Sequence, residues 1–243
     1  MRVIVHPSPN HGARRTGPVD MLVLHYTGMA SAEAAAGWLC DPRSGVSAHY
    51  LIGEEGTVFA LVPEEARAWH AGVSSWAGED DVNSRSIGIE LQNPGHEGGL
   101  PAYADPQVEA LIALSHTILA RHPIPPGRVL AHSDVAPGRK VDPGERFPWA
   151  RLAAAGIGLW ADPAPVDDRD VLAQGDSGES VFELRKSLRN FGYMIELNDM
   201  FDDELHVAVT AFQRHWRPGR VDGRADRSTR DQLAELLARA GGG

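Results

Sequence analysis

A sheet covered by helices, joined to a small unit of three helices, is the fold class this sequence predicts, and three observations carry it. Short β-rich runs alternate with helical segments over roughly the first 155 residues, the pattern of a sheet packed under helices. The stretch 156–170, GIGLWADPAPVDDRD, then gathers glycine, proline and aspartate into linker chemistry. Beyond it the apolar period is helical alone. The expected division is 1–155, a connecting segment 156–170, and 171–243, with the connection acting as a tether.

Taken in order, the predicted strands are MLVLH (21–25), AHYLIG (48–53), VFALV (58–62), SIGIEL (86–91) and RVLAH (128–132). Each is a short apolar or alternating run bounded by polar residues or turn formers. Helices are predicted over 31–39, with Ser31 as cap, and over 105–122, where Val108, Leu111, Ile112, Ser115, Ile118 and Leu119 trace one face. After the linker, helices are expected over 179–193, 202–216 and 226–240. Gly192 closes the first, and Ser228 or Thr229 opens the third. Leu184, Leu188, Ala208, Val209, Phe212 and Leu233 supply their common core.

The 243 residues carry a formal charge of −10 and are 42% hydrophobic, enough apolar material for a sizeable core. The acidic balance argues against a nucleic-acid binder, which would present a basic face. A single cysteine, Cys40, forms no intramolecular disulfide and is compatible with a reducing compartment. The N-terminus, MRVIVHPSPNHGARR, lacks the apolar run of about 7–15 residues that a secretory signal needs, and no window approaches the ~18 apolar residues of a membrane span. The expectation is cytoplasmic residence, or a periplasmic or outer-membrane-associated site if an export signal has been trimmed.

Four polar side chains stand at or beside the ends of apolar strands: His25, His49, Glu90 and His132. Each alone reads as a strand cap. Together they offer the rigid placement that catalysis requires. The segment HSDVAPGRKVDPG, 132–144, is turned at Pro137-Gly138 and again at Asp142-Pro143-Gly144, so it can fold back and bring Asp142 to His132. His25, His132 and Asp142 would then match the three-ligand rule for catalytic zinc, whose fourth position stays open. The ligands are far apart in the chain and no HExxH helix presents them, so the residues alone leave this set open.

LVLHYTGM, VSAHYLI, WHAG, NSRSIGIELQN and AHSDVAPGRKVDPG, in this order, resemble the zinc-dependent N-acetylmuramoyl-L-alanine amidases related to T7 lysozyme and the peptidoglycan recognition proteins. The likeness covers about residues 18–150. Its last motif is similar to the recycling and outer-membrane branch, in which an aspartate takes the third ligand position. The resemblance implies a mixed central sheet flanked by helices and Zn²⁺ held by His25, His132 and Asp142. It further implies Glu90 as the catalytic carboxylate and Lys140 as stabiliser of the tetrahedral intermediate. His49, Trp69, His70 and Asn83 are the expected substrate-contacting residues, with His49 also readable as support for a ligand or as a satisfied core histidine. His6, His11, His96, His116, His122, His206 and His215 read as surface or helix residues.

QGDSGESVFELRKSLRNFGY, DDELHVAVTAFQRHW and VDGRADRSTRDQL, within residues 172–237, resemble the small helical peptidoglycan-binding domain found beside many wall hydrolases. The segment MIELNDMFDDE departs from the family's glycine-rich connection. The implied activity is hydrolysis of the amide between N-acetylmuramic acid and L-alanine, on peptidoglycan or on released anhydro-muropeptides. A recognition protein that binds muropeptide without cleaving it, marked by a lost ligand, is the alternative. A zinc peptidase cutting within the stem peptide is a second one.

Overall fold

The computed structural model describes residues 2–241. Its strands are β1 (Arg2–Val5), β2 (His11–Ala13), β3 (Met21–Tyr26), β4 (Tyr50–Ile52), β5 (Thr57–Ala60), β6 (Ala66–Ala68), β7 (Ser86–Leu91) and β8 (Val129–Ala131). The helices are α1 (Ala32–Leu39), α2 (Val82–Arg85), α3 (Asp105–Arg121), α4 (His132–Val135), α5 (Trp149–Ala154), α6 (Glu179–Phe191), α7 (Asp203–Trp216) and α8 (Arg227–Ala240). Six strands form one mixed sheet in the order β1-β5-β4-β7-β3-β8, and β2 pairs with β6 in a separate ribbon. Among the described residues no helix is long and apolar enough to cross a membrane.

At one end of the sheet β7, β3 and β8 run parallel, with β3 between the other two. Parallel strands are covered on both faces, which is why MLVLH is buried along its whole length. On one face Leu22, Leu24, Ile87, Ile89 and Val129 pack with Val108, Leu111, Leu114 and Ile118 of α3. Each such side chain contributes about 1.5–3 kcal/mol on burial. Ser31 caps α1 by accepting from the Ala34 amide. Asp226, rather than Ser228 or Thr229, caps α8, because its carboxylate accepts from the Thr229 amide at the first turn.

On the other face Met21, Val23 and Leu130 belong to an apolar cluster continuous with Trp76, Val82 and Val135 and with Leu184, Leu188, Val209, Phe212 and Trp216 of the C-terminal helices. The expected tether is therefore absent. Although 163–168 is irregular, the helical region is packed against the sheet-bearing region. Polar contacts reinforce the seam: Asp134, wholly buried, accepts from the Tyr193 hydroxyl at 3.1 Å and lies 2.6 Å from His215 Nδ1. The His215 ring is stacked between Trp149 and Trp216, each centroid 3.6 Å away. His215 is thus a buried seam residue and not the surface residue its isolated position suggested.

Candidate metal centre and cleft

Strand periodicity explains how distant residues meet. Alternate residues of a strand share a face, so Met21, Val23 and His25 point one way from β3, and Ser86, Gly88 and Glu90 point the same way from β7. The parallel register sets His25 directly beside Glu90. On the other flank Leu130 pairs with Val23, and two residues on, His132 opens α4 on that same side. Three functional side chains thus stand abreast at the carboxyl ends of adjacent parallel strands, where ligands of open α/β sheets bind. Asp142 arrives from the turned loop, whose backbone is pinned by the Ser133 amide donating to the Asp142 carbonyl at 3.0 Å.

His25, His132 and Asp142 are buried, and their ligand atoms lie within 4.8 Å of one another. His25 Nδ1 is 2.9 Å from His132 Nδ1 and 3.1 Å from Asp142 Oδ2, and His132 Nδ1 is 3.0 Å from that same oxygen. Ligand atoms held at ~2.0–2.1 Å around a tetrahedral ion stand about 3.3 Å apart, so the triangle has nearly the size such an ion requires. Protons agree with it. His132 Nε2 faces the Ala71 carbonyl at 3.1 Å, which only accepts, so that nitrogen carries the hydrogen and Nδ1 offers a lone pair to the triangle. A lone pair and a carboxylate oxygen at this separation repel unless a cation lies between them. The residues present fit a divalent metal.

Burial, followed by the neighbouring His132, pushes His25 down to about 4, so it is a neutral donor at neutral pH. With no ion between them, N–H donation from the two imidazoles holds the Asp142 carboxyl far below the usual range against the effect of its own burial, and a cation in the triangle would hold it there in their place. Glu90 moves the other way: burial and then the Asp142 charge raise it well above its ordinary value, and Lys140 opposes them. One Glu90 oxygen is shielded and has no hydrogen-bond partner. A carboxyl so placed ionises when a positive charge comes beside it, and as the anion it is a stronger base than an exposed carboxylate.

Glu90, His132 and Asp142 line a cleft of about 380 Å³ together with Tyr26, Trp38, Trp69, Arg139 and Lys140, while His25 is buried and forms no part of its wall. The structure separates the expected substrate contacts. Trp69 and His70 reach the cleft, and Asn83 reaches only a smaller recess beside it. Asn83 Oδ1 accepts from the amides of His70 and Ala71 at 3.0 and 2.9 Å, so its carbonyl end orders the loop. His49 lines neither space. It is 0% exposed, its Nδ1 accepts from the Gly88 amide at 2.9 Å, and its Nε2 faces the Ala66 carbonyl and Arg14. That makes His49 a satisfied core histidine, just before β4, with Ser47, Ala48 and Leu51 buried around it. Sequence reasoning missed Tyr26, Trp38 and Arg139. Trp38, 51% exposed at the cleft mouth, was legible as a bare indole on an amphipathic helix. Arg139 was not, since its guanidinium is fixed by the Ala71 and Val73 carbonyls.

Two histidines and a carboxylate able to hold a metal ion, with an acid and a lysine at the adjoining cleft, form the kind of centre that metal-dependent hydrolases use. Residues 15–145 match the N-acetylmuramoyl-L-alanine amidase family, and residues 177–233 match the peptidoglycan binding domain family. The chain is 37% identical over 235 residues to N-acetylmuramoyl-L-alanine amidase AmiD of Escherichia coli, covering 92% of this chain and 84% of the relative. It is 36% identical over 169 residues to 1,6-anhydro-N-acetylmuramyl-L-alanine amidase AmpD of Enterobacter cloacae, covering 61% of this chain and 87% of that one. Among solved structures, AmiD of E. coli in complex with anhydro-N-acetylmuramic acid-L-Ala-D-γ-Glu-L-Lys superposes with a TM-score of 0.79 at 36% identity, over 92% of this chain and 90% of that chain. AmpDh3 of Pseudomonas aeruginosa with anhydromuramic pentapeptide gives 0.77 at 36% identity, over 96% and 94%. The chain belongs to the N-acetylmuramoyl-L-alanine amidase family and is an amidase of that type.

Proposed function

We propose that this amidase hydrolyses the bond between the lactyl carbonyl of N-acetylmuramic acid and L-alanine, in anhydro-muropeptides or in peptidoglycan, with Zn²⁺ held by His25, His132 and Asp142. The single observation that carries the reading is the buried triangle of two imidazole nitrogens and one carboxylate oxygen, set beside Glu90 and open to one cleft. When bound, zinc would lower the pKa of water from about 15.7 toward 7 and polarise the scissile carbonyl. Glu90 takes the proton from water and returns it to the leaving amine of L-alanine, the task of a general acid-base group. Lys140 sets an ammonium beside the developing oxyanion, where one such donor is worth about 3–4 kcal/mol. Trp69 and Trp38 offer flat apolar faces to the sugar or stem. Residues 1–155 carry this chemistry, and 171–243, joined by 156–170, contribute the wall-binding surface.

All three ligands, Glu90 and Lys140 stand together, which favours catalysis over a binding-only recognition protein. His132→Ala should abolish stoichiometric zinc in elemental analysis, and activity with it. Full occupancy and full turnover in that variant would remove His132 from the centre. Mass spectrometry of products from sacculi and from anhydro-muropeptides, run in parallel, tests the bond cut: free stem peptide beginning at L-alanine is expected. Cleavage within the stem would make the enzyme a peptidase.

A further inference from the structure

We propose that the His70-Ala71 dipeptide is a positioning device that fixes the tautomers of both histidine ligands, His70 acting on His25 through a directed chain of hydrogen bonds and Ala71 on His132. The inference rests on the metal reading above and concerns residues that touch neither metal nor scissile bond. The chain starts at a group that can only accept. Ser86 Oγ lies 2.6 Å from the Val82 carbonyl, so the serine hydroxyl donates there. Its oxygen is then left to accept from His70 Nε2, 3.1 Å away, and that nitrogen carries the hydrogen. His70 is buried among the imidazoles of His25, His49 and His132 and the Arg14 guanidinium, and its two ring nitrogens meet Ser86 and His25 rather than a carboxylate that would hold a second proton. A neutral imidazole has one N–H, so His70 Nδ1 presents a lone pair to His25 Nε2 at 3.0 Å. His25 must donate there. Its Nδ1 is left with a lone pair aimed at His132 and Asp142.

The second half of the device is the next residue's carbonyl: Ala71 O accepts from His132 Nε2 and leaves His132 Nδ1 free in the same way. Asn83 grips both amides of the dipeptide. Below the His70 ring, Gly88 makes room, since a Cβ there would sit 2.4 Å from the ring carbon. The sequence S-I-G-I-E thus gives β7 one face on which Ser86 anchors the chain, Gly88 admits the ring and Glu90 joins the centre.

Ligand histidines usually give their outer N–H to a carboxylate, carbonyl or water, and loss of that partner typically weakens metal binding 10–100-fold. Here the partner is another imidazole, whose acceptor a carboxamide oxygen can imitate. In the full-length chain, His70→Phe should weaken zinc binding by about 10–100-fold in chelator competition, while His70→Asn stays within about threefold of wild type. Nitrogen-15 imidazole shifts of the wild-type protein, which need no variant, should show the hydrogen on Nε2 of both His25 and His70. Wild-type affinity in a folded His70→Phe chain, equal damage from Asn and Phe, or His25 found as the Nδ1–H tautomer would each overturn the proposal. Failure of the wild-type chain to bind zinc at all would instead overturn the metal reading.

Discussion

Glu90→Gln is expected to fold and to keep its zinc but to lose about 100–10,000-fold in turnover, the range for removing a general acid-base group. The change conserves volume and leaves the triangle of His25, His132 and Asp142 untouched, because Glu90 belongs to the neighbouring strand and none of its oxygens enters that triangle. It removes the one carboxyl in the cleft that burial and Asp142 hold ready for proton transfer. Elemental analysis beside steady-state kinetics on anhydro-muropeptide checks both halves. Loss of zinc would make Glu90 a ligand, and unchanged turnover would remove it from the mechanism.

The second large effect concerns the helical region. A chain ending at Asp162 should aggregate or melt far below the full-length protein, and should lose activity on soluble muropeptides as well as on sacculi. The cut exposes Trp76, Val82 and Val135, which share one apolar cluster with the C-terminal helices. At about 1.5–3 kcal/mol for each large apolar side chain, a few such losses rival the ~5–15 kcal/mol that holds a typical domain folded. Asp134, two residues after His132, also loses Tyr193 and His215. Its remaining bond, accepted from the Ala131 amide at 2.7 Å, keeps only part of the support for the end of β8. Thermal melts and paired assays on the two substrates decide the matter. A soluble, fully active fragment impaired only on sacculi would restore the tether.

What was legible in the sequence follows from what kind of force makes each element. Strands β3, β4, β5, β7 and β8 are held by apolar burial, which leaves a pattern in the chain. His25, Glu90 and His132 could be picked out because each ends or follows such a run. By contrast β2 and β6, HGA and ARA, pair through backbone hydrogen bonds and carry no apolar period. β1 is an exposed edge strand whose four residues gave too short a run. The four-residue helices α2 and α4 are set by local capping at Asp81 and Asp134. His70 and Asp134 acquire their roles from partners 45 and 81 residues distant, and a single sequence holds no trace of such pairings. The tether failed for the same reason, since linker composition reports the flexibility of the connection and not the complementarity of the surfaces it joins.

The aromatic seam has a spectroscopic consequence. Of the six tryptophans, Trp76 and Trp216 stack within the apolar cluster, Trp149 lies against His215, and Trp160 packs beside them. Four of the six tryptophans thus sit at or beside the contact between the two halves, and Trp38 and Trp69 line the cleft. A red shift in emission that precedes zinc release during denaturation would mark the halves parting first, so emission wavelength and metal content together time the two events in one titration.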